Sequence, residues 1–221
     1  MPIFKWIAFG AALILAGCAG LDENVTRPAP ERVSVADNQV VIAGPAGFCV
    51  DPDATRDNGD AAFVLLGNCA AISNAPFRPQ PDVAAVLTAT VATPAGPIPD
   101  VSAMSRYFRS EAGRAALSAS GDANSVEILE MRETTRGLYL HARDRDGGPR
   151  SLSADYWRGI LKVNDKIVTV ALRGLENQSA SDAAKFRTLD VFAARILAEN
   201  RRSQRVAARN LVLDHTRHLL D

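Results

Sequence analysis

A short polar segment of this chain holds six oxygen-bearing side chains within ten residues: Asp51, Asp53, Thr55, Asp57, Asn58 and Asp60. Hard cations such as Ca²⁺ and Mg²⁺ prefer clustered oxygen ligands. Paired carboxylates can also share nucleophilic and proton-transfer work. The segment therefore offers a metal site whose candidate ligands are Asp51, Asp53, Asp57 and Asp60. The alternative is a solvated turn in which the aspartates accept hydrogen bonds from their own backbone amides.

The start of this segment, Asp51-Pro52-Asp53-Ala54-Thr55, resembles the D-x-D-x-T motif of haloacid-dehalogenase-type phosphatases. That resemblance implies Asp51 as nucleophile, Asp53 as the proton-transfer group and Mg²⁺ as cofactor. The family needs a doubly wound parallel sheet, whereas the C-terminal half of this chain favours hairpins. The segment also departs from a calcium-binding EF-hand loop, because Arg56 replaces the turn glycine and Ala62 the bidentate glutamate. We therefore expect neither a resident metal nor a cofactor.

Histidine and nucleophile patterns offer no further catalytic set. His215 and His218 are three residues apart in a predicted terminal helix, and His141, the third histidine, falls on a predicted strand edge. Two ligands do not make a zinc site, so we predict that His215 and His218 are two surface side chains without a metal. No G-x-S-x-G elbow occurs, and neither Cys49 nor Cys69 has a histidine nearby in sequence. We expect no catalytic residues.

The N-terminus carries a targeting signal. Lys5 precedes an apolar run over 6–16, which is too short to span a bilayer, and Leu15-Ala16-Gly17-Cys18 follows. These residues resemble the lipobox of a bacterial lipoprotein precursor. The resemblance implies a signal peptide over 1–17, lipidation of Cys18 and an anchor in the cell envelope facing the periplasm. Ala19, in place of an aspartate, favours the outer membrane.

The remaining two cysteines form an even pair. In an oxidising compartment, Cys49 and Cys69 are expected to form a disulfide that closes a loop of about 20 residues. The alternative is two separate buried thiols. A metal site built on these two cysteines would need further ligands, which the neighbouring sequence does not supply.

Composition is that of an ordinary globular protein, with 47% hydrophobic and 23% charged residues and a net charge of zero. Zero net charge argues against a nucleic-acid partner. Residues 19–100 are acidic, with four arginines against ten acidic residues, and residues 101–221 are basic, with 20 Lys/Arg against 15 acidic residues. This asymmetry suggests that the two halves dock on each other or present opposite surfaces. The terminal stretch also clusters Arg201, Arg202, Arg205 and Arg209, which are expected to lie on a solvated helix face.

The order of predicted elements defines the fold class. A tether over 18–32 precedes a globular domain over 33–203 and a helical tail over 204–221. Within the domain we predict a strand pair over 33–42, a strand over 62–66 buried on both faces and a strand over 83–91. A helix from Asp100 or Ser102 to about residue 117, hairpins over 126–143 and 157–172, and a helix over 182–200 follow. This is an α+β domain, with helices packed on an antiparallel sheet.

This element order is similar to the Mog1/PsbP-like sandwich, a fold found in many non-enzymatic bacterial lipoproteins. The segment around Gly44–Asp51 and Gly67–Ala71 resembles uncharacterised alphaproteobacterial lipoproteins. We expect a non-enzymatic binding or scaffolding module that reaches the membrane through its lipid and has an envelope protein partner. The alternatives are a small-ligand carrier with a cavity between sheet and helix, lined by Phe186, Leu189 and Trp157, and a metal-dependent periplasmic hydrolase using the Asp51–Asp60 loop.

Overall fold

The structure, a computed structural model, describes residues 26–178 and 180–218, the side chains of 207, 208 and 210–218 excepted. Ten strands run in the order β1 Arg32–Val35, β2 Val40–Ala43, β3 Phe48–Val50, β4 Arg56–Asp57, β5 Ala61–Asn68, β6 Ala85–Ala92, β7 Val126–Glu133, β8 Gly137–Asp144, β9 Leu152–Val163 and β10 Lys166–Leu175. The helices are α1 Cys69–Ser73, α2 Val101–Arg109, α3 Glu111–Leu117 and α4 Asp182–His218, with a 3₁₀ turn over Ala123–Ser125.

Eight of the strands build one antiparallel sheet in the order β3-β5-β6-β10-β9-β8-β7, with β4 paired to β5 beside this path. The predicted pair β1-β2 forms a separate two-stranded hairpin. The predicted α+β class is therefore confirmed. The acidic and basic halves of the sequence share the large sheet, because β6 pairs with β10 over its whole length.

Helix α4 covers one face of the sheet. Its side chains Leu189, Phe192, Ala193 and Ile196 are fully buried, and the helix packs on strands β9 and β10, as the apolar period over 182–200 predicts. Each large side chain of this set contributes roughly 1.5–3 kcal/mol by leaving water. The hairpin β1-β2 packs against the same helix, and its Val35, Val40 and Ile42 belong to the core that α4 shares with the sheet.

Helices α2 and α3 cover the other face only above β7, β8 and β9, where Leu117 packs on Leu138, Leu140 and Tyr156. In the described part of the chain, α1 reaches this face only at the end of β5, where Ile72 lies beside Gly67, and no helix covers the rest of β5 or β6. The prediction that the strand over 62–66 is buried on both faces is therefore wrong. Its side chains alternate, with Val64 0% and Phe63 37% exposed.

Two helix predictions differ from the structure. The predicted helix ending near residue 117 starts with Asp100 as its cap, as expected, but breaks at Ser110, whose hydroxyl caps α3 by accepting from Gly113 N at 3.1 Å. The predicted helices over 182–200 and 204–220 are instead one continuous helix to His218. Residues 201–203 contain no proline or glycine, so nothing in the local sequence ends the helix there.

The segment before β1 is bonded to the domain. The Arg27 amide donates to Ser73 O at 2.9 Å, and the Pro30 carbonyl accepts from Val50 N at 2.7 Å. Residues 18–25 lie outside the described residues. Among the described helices, none combines the length and apolarity needed to cross a bilayer.

Candidate functional site

The disulfide links two elements at one edge of the sheet. Cys49, in strand β3, is bonded to Cys69, the first residue of α1, across a sequence separation of 20. Both cysteines are buried, and Arg78 Nη2 lies 3.5 Å from Cys49 Sγ. The predicted bridge is confirmed, and it joins the two ends of the loop that carries the aspartates.

Two aspartates of that loop, Asp51 and Asp57, accept hydrogen bonds from backbone amides. Asp51 Oδ1 accepts from Asp53 N at 2.9 Å and from Ala54 N at 3.3 Å. The Asp57 carboxylate accepts from Ala36 N at 3.1 Å and from Gly59 N at 3.1 Å. Asp60 contributes its carbonyl, which accepts from the Thr93 hydroxyl. No group of three His, Cys, Asp or Glu side chains within the described residues is arranged to hold a metal ion.

Asp51 and Asp53 do border a hollow of about 530 Å³ together with Asn68. The amide oxygen of Asn68 is engaged, however, because it caps α1 by accepting from Ala70 N at 2.9 Å. The sheet beside the hollow is antiparallel, whereas the phosphatases that the D-x-D-x-T motif resembles need a doubly wound parallel sheet. The arrangement stabilises a turn, which is the alternative that the sequence left open.

Histidine 141 differs from its predicted place. It lies in β8, an interior strand, and is only 6% exposed, whereas the sequence placed it at a strand edge. Its ring stacks on Trp157 with centroids 4.6 Å apart, and its Nε2 has no hydrogen-bond partner among the described residues. Burial lowers the pKa of His141 below its ordinary value. The side chains of His215 and His218 lie outside the described ones.

The predicted cavity lined by Phe186, Leu189 and Trp157 is filled. The Phe186 ring lies 4.9 Å from the Trp157 ring and 5.4 Å from the Tyr139 ring, and the Arg132 guanidinium lies 4.1 Å above Phe186. Leu189 and Trp157 belong to the packed core. The predicted lining residues are therefore wrong, because Phe186, near the start of α4, packs directly on the aromatic rings of the sheet.

A sheet–helix cleft of about 660 Å³ lies elsewhere, at the end of the β7-β8 hairpin. Strand β8 begins at Gly137, opposite Leu161, while β9 continues to Val163, which leaves a notch in the sheet. Helix α4 forms one wall and the start of α2 with the segment before it forms the other. The apolar lining comprises Ile98, Val101, Met104, Ile160, Leu161 and Leu197.

Charges at the rim of the cleft are mostly positive. Arg136 is held by Asp190 through two hydrogen bonds of 2.9 and 2.6 Å, and Asp100 is engaged as the cap of α2. The side chains of Lys162 and Arg201 form no ion pair or hydrogen bond within the described residues. An apolar floor beneath two free cations is suited to a molecule with an apolar body and an anionic group.

The sequence pointed to only part of this cleft. Arg201 belongs to the predicted arginine cluster, whose four members are exposed, but Lys162 and the apolar lining had no motif to mark them. The notch depends on how far β8 extends beside β9, which is a matter of strand register.

The chain was compared with protein-family models, with curated proteins and with solved structures, and none of the three comparisons finds a match.

Proposed function

We propose that this protein is a lipid-anchored cell-envelope protein whose domain binds an amphipathic anionic molecule without transforming it. The observation that carries this proposal is the cleft of about 660 Å³, with its apolar floor and the free cations Lys162 and Arg201 at its rim. Its volume falls in the range of about 300–1,000 Å³ that is usual for small-molecule sites.

The two sides of the cleft suit the two parts of such a ligand. Val101, Met104 and Leu197 are partly exposed and offer apolar surface on the two helix walls, so they favour a hydrocarbon or ring system. Lys162 and Arg201 favour a carboxylate or phosphate at the open rim, where the ligand's charge stays hydrated. Arg136 is a weaker candidate for the anionic group, because Asp190 already neutralises it.

The membrane anchor is part of the same proposal. The lipobox ending at Cys18 supports lipidation, and a diacyl anchor holds a protein stably to a bilayer. Ala19 supports the outer membrane, with the domain facing the periplasm. An anchored binding domain stays beside the bilayer, where amphipathic molecules are concentrated.

Photocrosslinking tests the cleft in the full chain. We would hold the protein in phosphatidylcholine nanodiscs, irradiate it with a diazirine-bearing fatty acid and identify the labelled residues by mass spectrometry. We expect label on the cleft lining and loss of that label in Leu197→Arg. The matched control is Val191→Arg, since Val191 lies on the same helix and is 48% exposed. Equal labelling of both variants would contradict the proposal.

The charge preference has its own readout. We expect Lys162→Glu combined with Arg201→Glu to reduce labelling by the fatty acid several-fold and to leave labelling by the corresponding uncharged alcohol unchanged.

Anchoring is tested by incorporation of radiolabelled palmitate, which should be lost in Cys18→Ser, and by fractionation of inner and outer membranes. Palmitate retained in Cys18→Ser would refute the anchor.

A further inference from the structure

A second pair of cations lies on the sheet face opposite α4, outside the cleft. Strand register sets this arrangement: Arg173 in β10 is opposite Tyr156 in β9, and Ala171 is opposite Arg158. Tyr156 and Arg158 are two residues apart on β9, so their side chains point to the same face. The two arginines are therefore diagonal neighbours around one aromatic ring.

Both guanidinium groups lie against that ring. The Arg158 Cζ is 5.3 Å and the Arg173 Cζ 4.9 Å from the Tyr156 ring centroid. Tyr156 is fixed there because its hydroxyl donates to Leu117 O at 3.1 Å. The positive charges of Arg158 and Arg173 therefore lie close together, on one partly buried part of the sheet.

Neither arginine has a carboxylate partner among the described residues. Arg173 Nη1 donates to Gly147 O at 2.7 Å, and Arg158 Nε is buried with no hydrogen-bond acceptor. Arg143, on the neighbouring strand β8, is by contrast paired with Asp155 at 2.6 Å. A buried donor without an acceptor is rare in proteins and calls for an explanation.

The two Nη groups of Arg158 form no hydrogen bond within the described residues, so they are the donors that a ligand beside the guanidinium can meet. A hollow of about 230 Å³ opens beside the two guanidinium groups, and its other lining residues are Val86, Thr88, Leu152 and Ala171. Burial lowers the pKa of Arg173, and the nearby charge of Arg158 acts in the same direction. The negative charge of Asp144 raises the pKa of Arg173, but the Asp144 carboxylate already accepts hydrogen bonds from Ala119 N and the Ser125 hydroxyl.

We propose that Arg158 and Arg173 form a binding site for a doubly charged oxyanion of the phosphate class. A dianion balances both guanidinium charges, whereas a single carboxylate balances one. Guanidinium groups present planar arrays of donors that match phosphate oxygens. The hollow is large enough for a phosphate with a small organic substituent, whose apolar part would contact Val86 and Leu152. This site is independent of the cleft and of its ligand.

Equilibrium dialysis of the full chain in a neutral detergent, with inorganic phosphate as the probe and ionic strength held constant by NaCl, tests the site. We expect one phosphate per chain, bound at least tenfold more weakly by Arg158→Gln. Arg150→Gln is the control, because Arg150 is exposed in a nearby loop. Equal binding by wild type and Arg158→Gln, or no phosphate bound by the wild type at about 10 mM, would overturn the proposal.

A substitution inside the hollow gives a measurement that does not depend on removing an arginine. Ala171→Glu places a carboxylate opposite Arg158, and Ala171→Gln is its neutral match. If the cations lack a counter-charge, Ala171→Glu should unfold at a higher temperature than Ala171→Gln, and only Ala171→Glu should lose phosphate binding. An unfolding temperature for Ala171→Glu at or below that of Ala171→Gln contradicts the proposal. Glycerol phosphate, compared with inorganic phosphate, then shows whether the hollow takes the organic substituent.

Discussion

The carboxamide of Asn200 bonds both backbone groups of Val41, accepting from Val41 N at 2.9 Å and donating to Val41 O at 2.8 Å. Asn200 lies in α4 and Val41 in β2, so this one side chain joins the long helix to the N-terminal hairpin. Asn200 is buried, and within the described part of the chain no other side chain bonds to these two backbone groups.

Replacing Asn200 with alanine should lower the free energy of unfolding by about 1–3 kcal/mol, because two partly buried backbone groups lose their partner. Urea denaturation followed by tryptophan fluorescence measures this change. Arg202→Ala is the control on the same helix: its ion pair with Glu199 is exposed, and its removal should cost less than about 1 kcal/mol. A cost for Asn200→Ala as small as that of the control would contradict the role of the contact.

Removing the disulfide should cost about 3 kcal/mol, because the bridge between Cys49 and Cys69 closes a loop of 20 residues and restricts the unfolded chain. We would compare the wild type with the double variant Cys49→Ala and Cys69→Ala, each with and without reductant. Reductant should lower the stability of the wild type to that of the double variant and leave the double variant unchanged. A reductant effect on the double variant would mean that the bridge is not its target.

Protonation of His141 should destabilise the fold. Burial lowers its pKa in the folded state, so the unfolded chain binds more protons as pH falls below the unfolded pKa of about 6.5. The stability gained from the neutral ring is present above that pH and is lost as pH falls toward the folded pKa. Asp182, Asp155 and Glu130 oppose the shift and Lys185 adds to it, but burial is the largest cause.

The measurement is the free energy of unfolding between pH 7.5 and pH 5 for the wild type and for His141→Phe. Phenylalanine keeps an aromatic ring against Trp157, whose centroid is 4.6 Å away, and cannot titrate. The wild type should lose stability over this range more steeply than His141→Phe. Parallel pH profiles for the two proteins would show that His141 does not contribute.

Asp144 should stabilise the fold above pH 4. Its carboxylate accepts from Ala119 N at 2.8 Å, the Ser125 hydroxyl at 2.9 Å and Asp146 N at 3.1 Å. Burial alone would raise the pKa of Asp144, but these hydrogen bonds outweigh it and the pKa is lowered. The contribution is therefore present above the unfolded pKa of about 3.9 and is lost as pH falls through the lower folded pKa.

Asp144→Asn should lower the free energy of unfolding at pH 7 by about 2–3 kcal/mol. The difference from the wild type should shrink at acidic pH. Asp146→Asn is the control, since Asp146 is exposed and accepts one hydrogen bond from Ser120. Denaturation curves at pH 7 and pH 2.5 test both statements, and a cost for Asp144→Asn that does not change with pH would refute the second.

Gly113→Ala should destabilise the protein although alanine is the better helix former. A Cβ at Gly113 would lie 2.0 Å from Tyr107 O, which is backbone at the junction of α2 and α3. The clash should cost about 1–3 kcal/mol beyond the gain of about 1 kcal/mol in helix propensity. In Gly96→Ala, the new Cβ would meet nothing within 4 Å, so its stability should be nearly unchanged. Thermal unfolding of both variants provides the comparison.

The elements that were predicted correctly rest on local patterns. The hairpin β1-β2, the cap at Asp100 and the apolar face of α4 each depend on residues that are neighbours in sequence. One error falls where distant segments meet: the apolar strand β5 keeps an exposed face because no described helix lies above most of it. Another is local: Ser110 breaks a predicted helix because its hydroxyl caps α3 by accepting from Gly113 N.

Sequence alone determined the α+β class, because that class follows from residue type and period. It predicted the bridge between Cys49 and Cys69 from the cysteine count and an oxidising compartment, with two separate thiols as the alternative, and the turn role of Asp51 as one of two alternatives. Tertiary structure alone decided the burial of His141, the notch beside Gly137 and the meeting of Arg158 with Arg173 around Tyr156. These features depend on which strands are neighbours and in what register. Register is set by contacts between residues far apart in the chain, and no short stretch of sequence contains them.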